Sequence, residues 1–193
     1  FALSLMSRVL GSSGFSSRIT QRVRSDEGLA YSAGAFAIPG LYFRGEFRAF
    51  FESKNRTVAL ATKIIMEEIV KIRTEPVTAE ELEAAKASSI ESFPESFASK
   101  SATLGVFVED ELTAKDANYW RTYRSKVQAV TKEDVLAVAK KYLVPEKMMI
   151  LVVGKWSEIE AGDLEGRAKM SEFFSGKSTQ LPLRDPLTLE PIK

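Results

Sequence analysis

The stretch LGSSGFSSRITQRVRSDEGLAYSAGAFAIPGLYFRGEFRAF, residues 10–50, decides the fold. Its hydrophobic period switches from helical to alternating, so it joins helices to a β-hairpin. Upstream, Ala2, Leu5, Met6, Val9 and Leu10 recur at helical spacing, which predicts a helix over Phe1 to Leu10 with Gly11 as its stop. A Ser/Gly loop follows, Ser12 to Ser17. From Ser17 a second short helix is expected, with Ile19 and Val23 four apart on one face and Gly28 ending it. This puts Arg24 near the helix end and Tyr31 just beyond it. Ala30 to Ile38 is small and apolar, Pro39-Gly40 signals a turn, and Leu41 to Phe50 alternates. In that second strand Phe43, Gly45, Phe47 and Ala49 are expected on the buried face, and Arg44, Glu46 and Arg48 on the wetter one.

Working outward, Lys54 to Arg73 reads as a helix with a stripe of Val58, Ile65, Ile69 and Ile72, and with Glu67 placed to pair with Lys71. Two later helix starts carry capping boxes. Thr78 with Glu81 is the first, Val77 and Leu82 forming the hydrophobic staple, and Thr131 with Asp134 is the second. The stripe Val135, Val138, Ala139 and Tyr142 carries the last of these helices to a stop before Pro145. Lys147 to Val153 is a continuous apolar run closed by Gly154, the pattern of a strand covered on both faces. The order predicts an α+β domain, a two-layer arrangement of helices on one face of a largely antiparallel sheet that is short of strands. Beyond Trp156 a helix near Glu165 to Phe174 is expected, then a proline-bearing polar stretch with no core of its own.

Absences in the composition exclude whole chemistries. The 193 residues include no histidine and no cysteine. Ser-His-Asp and Cys-His hydrolysis need an imidazole, and the common zinc sites need His or Cys ligands. A disulfide framework is also excluded, although that suits the cytoplasm and the periplasm equally. A formal net charge of +1, with basic and acidic residues interleaved, leaves no field for nucleic acid. No run approaches the ~18 apolar residues of a membrane span. The chain opens at Phe1 inside what reads as a helix, so the expectation is a piece of something longer.

Several patterns have bland explanations. Gly11-Ser12-Ser13-Gly14 lacks the Gly-Lys-Ser/Thr of a phosphate loop and follows a helix, so it reads as a helix-to-helix turn. Phe15 occupies the position where a nucleophile elbow needs glycine. Glu67-Glu68, Glu80-Glu81 and Glu109-Asp110-Glu111 lack calcium-loop spacing and read as solvated helix faces. Phe43, Phe47, Phe50 and Phe51 could suggest a stacking platform for nucleic acid, but core packing suits them better at this charge.

Residues 10–32 taken as a whole resemble the second half of pitrilysin, insulin-degrading and mitochondrial-processing peptidases, in the segment that carries an Arg and a Tyr seven residues apart. Here those are Arg24 and Tyr31. Further matches are the Val77-Thr78 helix with Glu81, Leu82 and Lys86, the helix ending at Ala139-Lys140-Lys141-Tyr142-Leu143, and Leu151-Val152-Val153-Gly154. Resemblance covers residues 1–154, which are expected to form the zinc-less C-terminal domain, and 155–193 an extension whose 181–191 segment looks like ends of bacterial members. The resemblance implies the fold of the metallohydrolase domains of mitochondrial processing peptidase. It also implies that Arg24 and Tyr31 contact substrate carbonyls, and that zinc sits on an H-x-x-E-H helix in a partner half. That half and a peptide substrate are the expected partners. The family's second domain normally opens with a strand that precedes its first helix, and that strand is expected to be missing here. A bacterial cytoplasm or periplasm is implied, the periplasm slightly favoured. An assembly scaffold of the same family, and an unrelated α+β binding module, are the alternatives.

Overall fold

The computed structural model describes residues 1–173 and 178–192. Helix α1, Ala2–Ser7, runs on without a break through a wider π-helical turn, Arg8–Ser12. Gly11 therefore does not stop the helix as its sequence context suggests. A Cβ there would come within 2.1 Å of the Ala35 backbone nitrogen, so the glycine lets helix and strand touch backbone to backbone. Helix α2, Arg18–Thr20, likewise continues as a π-helical turn, Gln21–Asp26. Gly28 ends it as expected. Its φ is +61°, and Leu29 N donates to Val23 O across it at 2.9 Å.

Strand β1 spans Ala30–Ile38 and pairs antiparallel with β2, Glu46–Ser53, with Ala35 opposite Ala49 and Ile38 opposite Glu46. The second strand starts later than the alternation suggests, because residues 39–45 fold into the connection. A Cβ on Gly45 would lie 2.1 Å from Ile38 O, and one on Gly40 would lie 2.7 Å from Gly45 N, so two glycines permit the tight closure. Phe43 is consequently 88% exposed at the loop tip, not on the buried face. From Glu46 onward the alternation holds, with Phe47, Ala49 and Phe51 turned toward the core and Glu46, Arg48 and Phe50 outward.

Helix α3, Val58–Thr74, is the spine of the core, and Val58, Ile65, Ile69 and Ile72 are all buried. Glu67 is held by Arg22 from the turn continuing α2 instead of pairing with Lys71. Arg22 spans Glu67 at 3.0 Å and the buried Glu68 at 2.9 Å, because a buried carboxylate demands a cation and this segment supplies it. Helices α4, Ala79–Glu91, α5, Lys100–Leu112, α6, Tyr119–Gln128, and α7, Lys132–Tyr142, follow. Both capping boxes form: Thr78 Oγ1 accepts from Glu81 N at 3.1 Å, and Thr131 Oγ1 from Asp134 N at 3.1 Å. Val77 and Leu82 are both buried, as a staple requires. On α7, Val135 and Ala139 reach the core, but Tyr142 is half exposed and Leu143 takes the buried place.

The expected strand over Lys147 to Val153 does not form. Met149, Leu151 and Val153 are exposed, and only Met148 and Val152 of this run pack on the core. A strand needs a neighbouring edge to take its backbone hydrogen bonds, and among the described residues none lies alongside. The expected helix near Glu165 to Phe174 is replaced by a turn at 162–167 and one 3-10 turn, Met170–Glu172. Phe174 lies outside the described residues. Helix α8, Trp156–Glu160, and this turn bury Ile159, Ala168 and Met170 in the common core. The architecture is α+β, helices packed on one face of a two-stranded antiparallel sheet. No helix among the described residues is long and apolar enough to cross a membrane.

Candidate functional site

Sequence places Arg24 and Tyr31 on either side of Gly28, and the fold brings their side chains together. Arg24 rides on the π-helical turn Gln21–Asp26, which widens the helix just before its end. Tyr31 is the extra residue of a β-bulge: Ala30 faces Ser53 and Ser32 faces Glu52, leaving Tyr31 without an opposite number. A bulge re-aims the side chain it carries, and Tyr31 is thrown outward at 81% exposure. The guanidinium carbon of Arg24 lies 4.3 Å from the centroid of the Tyr31 ring and 4.2 Å from that of Phe15. Both rings are thus within cation–π range of the cation.

Several arginines of the chain are paired with carboxylates. Arg18 holds Glu81, Arg22 holds Glu67 and Glu68, Arg48 holds Glu46, and Arg167 holds Glu27 and Asp163. Arg24 has no carboxylate and no hydrogen-bond acceptor among the described residues. The N–H groups of a guanidinium lie in its plane, where carbonyl or carboxylate oxygens can reach them. The Tyr31 hydroxyl also has no partner among the described residues.

The elements under this pair are tied down. Thr20 Oγ1 donates to Ala33 O at 2.8 Å, binding α2 to β1 a few residues from both side chains. Arg18 grips Glu81 with two hydrogen bonds of 2.6 and 2.7 Å. Burial opposes the charge of that Glu81 carboxyl, but the Arg18 and Thr78 hydrogen bonds outweigh it and hold its pKa below the usual glutamate range. Arg22 is fixed likewise, its charge favoured by Glu68 and Glu67 over the cost of burial.

The pair opens on a cleft of about 300 Å³ lined by Gly11, Gly14, Phe15, Thr20, Arg24, Tyr31, Ser32, Ala33, Gly34 and Phe50. Its floor is largely backbone. A Cβ on Gly34 would sit 2.8 Å from Gly11 O, so the two glycines let the floor lie flat. Phe15 and the flooring glycines are legible only as turn residues in the sequence; the signal that could mark Phe15 is its isolation as an aromatic in a Ser/Gly loop. The acidic runs of the sequence serve structural ion pairs, Glu67 and Glu68 with Arg22, Glu81 with Arg18, and Glu109 and Asp110 with Lys115. Among the described residues no group of three His, Cys, Asp or Glu could hold a metal ion, and the donor set lacks the nitrogen and sulfur ligands zinc prefers. This chain does not fit a zinc site.

Residues 1–89 match the family model described as the peptidase M16 inactive domain. No curated protein sequence matches the chain. Among solved structures it is similar to the peptidase M16 inactive domain from Pseudomonas fluorescens, with a TM-score of 0.68 and 25% identity over 74% of this chain and 34% of that one. A protease from Helicobacter pylori shares the fold with a TM-score of 0.62, 22% identity, and coverage of 73% and 33%. The inactive peptidase domain of a candidate zinc protease from Bordetella parapertussis shares it at 0.57 and 20% identity, covering 74% of this chain and 76% of that one. The chain spans about a third of the first two of these structures. Residues 1–89 thus match the peptidase M16 inactive domain, and the fold around them is similar to that of solved M16 inactive domains.

Proposed function

We propose that this domain is the substrate-binding and transition-state-stabilising half of a zinc metallopeptidase whose metal is held by a partner half. The observation that carries the reading is the Arg24–Tyr31 pair, a cation without an acid and a hydroxyl without a partner among the described residues, both at the mouth of one cleft. Arg24 donates in-plane N–H bonds to peptide carbonyls and so fixes the register of an extended substrate. Tyr31 donates its hydroxyl to the carbonyl oxygen that gains negative charge when that carbonyl is attacked, which favours the transition state over the ground state. Hydrolytic chemistry at the metal belongs to the partner half, since this chain has no histidine or cysteine to offer zinc. A scaffold of the same family would have no use for a bare cation held at a cleft.

The test combines the purified domain with its zinc-bearing half and follows cleavage of a peptide library. Hydrolysis by the combination, with little by either part alone, is the expected result. Equal hydrolysis by the zinc-bearing half with and without this domain would refute the reading.

A further inference from the structure

We infer that Phe15 is a positioning residue for Arg24, a role that rests on the proposed substrate contact of Arg24 and extends it. Phe15 is 65% exposed, so burial does not explain why an aromatic stands there. Its loop is nevertheless fixed. Gly14 turns the chain at a φ of +59°, the 3-10 turn Gly14–Ser16 follows, Ser16 Oγ donates to Ser13 O at 3.0 Å, and Ser17 Oγ donates to Gly14 O at 2.8 Å. Two serine hydroxyls thus hold the loop in the shape that lays the Phe15 ring over the guanidinium, 4.2 Å from centroid to carbon.

Tyr31 alone would leave Arg24 free to swing away from its single ring face. The second ring restricts that freedom, because moving the guanidinium away would break both cation–π contacts. The guanidinium is then preorganised at the cleft before any peptide arrives, and less side-chain entropy is lost on binding. Phe15 itself touches no reacting atom in this account. It acts through Arg24.

The experiment measures kcat/KM and melting temperature in the assembled peptidase for Phe15→Leu, Phe15→Tyr, Arg24→Ala and the Phe15→Leu/Arg24→Ala double variant. Leu keeps apolar bulk and removes the π face; Tyr keeps the face. Phe15→Leu is expected to lose roughly two- to fivefold in kcat/KM, the fold-change that corresponds to one exposed cation–π contact. Phe15→Tyr should retain wild-type turnover, and Phe15→Leu should have no further effect once Arg24 is gone. If Arg24→Ala matters but Phe15→Leu does not, or if Phe15→Leu costs the same in the Arg24→Ala background, the positioning role is overturned while the substrate-binding reading stands. If Arg24→Ala itself leaves turnover unchanged, both fall.

Discussion

Tyr31 is expelled from the β-ladder by a bulge and its ring lands 4.3 Å from the guanidinium of Arg24, so a defect in strand pairing creates the candidate site. The two residues come from opposite sides of Gly28, and the left-handed turn there reverses the chain between them. The site therefore depends on how firmly α2 and β1 are held.

Glu81 caps α4 through Thr78 and receives the Arg18 fork, so one carboxylate joins the start of α4 to α2. Glu81→Gln is expected to destabilise the domain by about 1–3 kcal/mol at neutral pH, as for a lost charged hydrogen bond at a cap. Because the folded state depresses the Glu81 pKa, its contribution is full above the unfolded value of about 4.3 and is lost as pH falls through the lower folded value. Urea unfolding from pH 7 down to pH 3 checks this. The variant should show a shallower loss of stability on the acid side than the wild type.

Gly11→Ala should destabilise strongly, by about 2 kcal/mol or more, because the new methyl group would meet the Ala35 backbone, which cannot move aside alone. Gly105→Ala is the control. Gly105 lies within α5, and a methyl group added there would meet nothing within 4 Å, so alanine should stabilise by about 0.5–1 kcal/mol. Thermal melts of the two variants side by side would decide between close approach and helix termination as the role of Gly11.

Local signals in the sequence suffice where the physics is local. The Thr78–Glu81 and Thr131–Asp134 boxes, the Gly28 stop and the bounds of β1 all depend on residues within one or two turns of each other, and all form. The alternation of β2 is legible from Phe47 onward, but its start is not, because the closure between Gly40 and Gly45 is a contact between backbones that hydropathy does not register. Gly11 misleads for the same reason. Residues 147–153 mislead differently: an apolar run names a strand only if a neighbouring edge exists, and that is a property of the whole fold. Arg24 and Tyr31 stand out by resemblance, since neither the bulge nor the Phe15 ring that shapes their surroundings has a signature in spacing.

Metal analysis of the purified domain after dialysis against zinc should show substoichiometric, loosely held metal, because the chain has no histidine or cysteine and the described carboxylates do not converge. Near one equivalent of tightly bound zinc would contradict the assignment of the metal to a partner half.

Limited proteolysis should trim the C-terminus first, after about Gly176, a residue outside the described ones. Residues 178–192 hold a local turn, with Asp185 N donating to Glu190 O at 2.8 Å, but Leu181, Leu183, Leu187 and Leu189 stay exposed, so little apolar burial offsets the entropy of ordering. Residues 156–173, by contrast, are anchored through Arg56 to Gly162 O at 2.8 Å and Lys63 to Arg167 O at 2.9 Å. Early cuts within 130–154 with the terminus intact would count against this.

Whether Arg24 and Tyr31 act on a bound peptide is decided by kcat/KM of Tyr31→Phe and Arg24→Ala in the assembled peptidase, each measured beside its melting temperature. Tyr31 is 81% exposed, and Arg24, though half-buried, makes no ion pair among the described residues, so neither substitution should change melting appreciably. Removing one donor from a developing negative charge is expected to lower kcat/KM by at least about tenfold. Turnover equal to wild type in both variants, at unchanged melting temperature, would contradict the account.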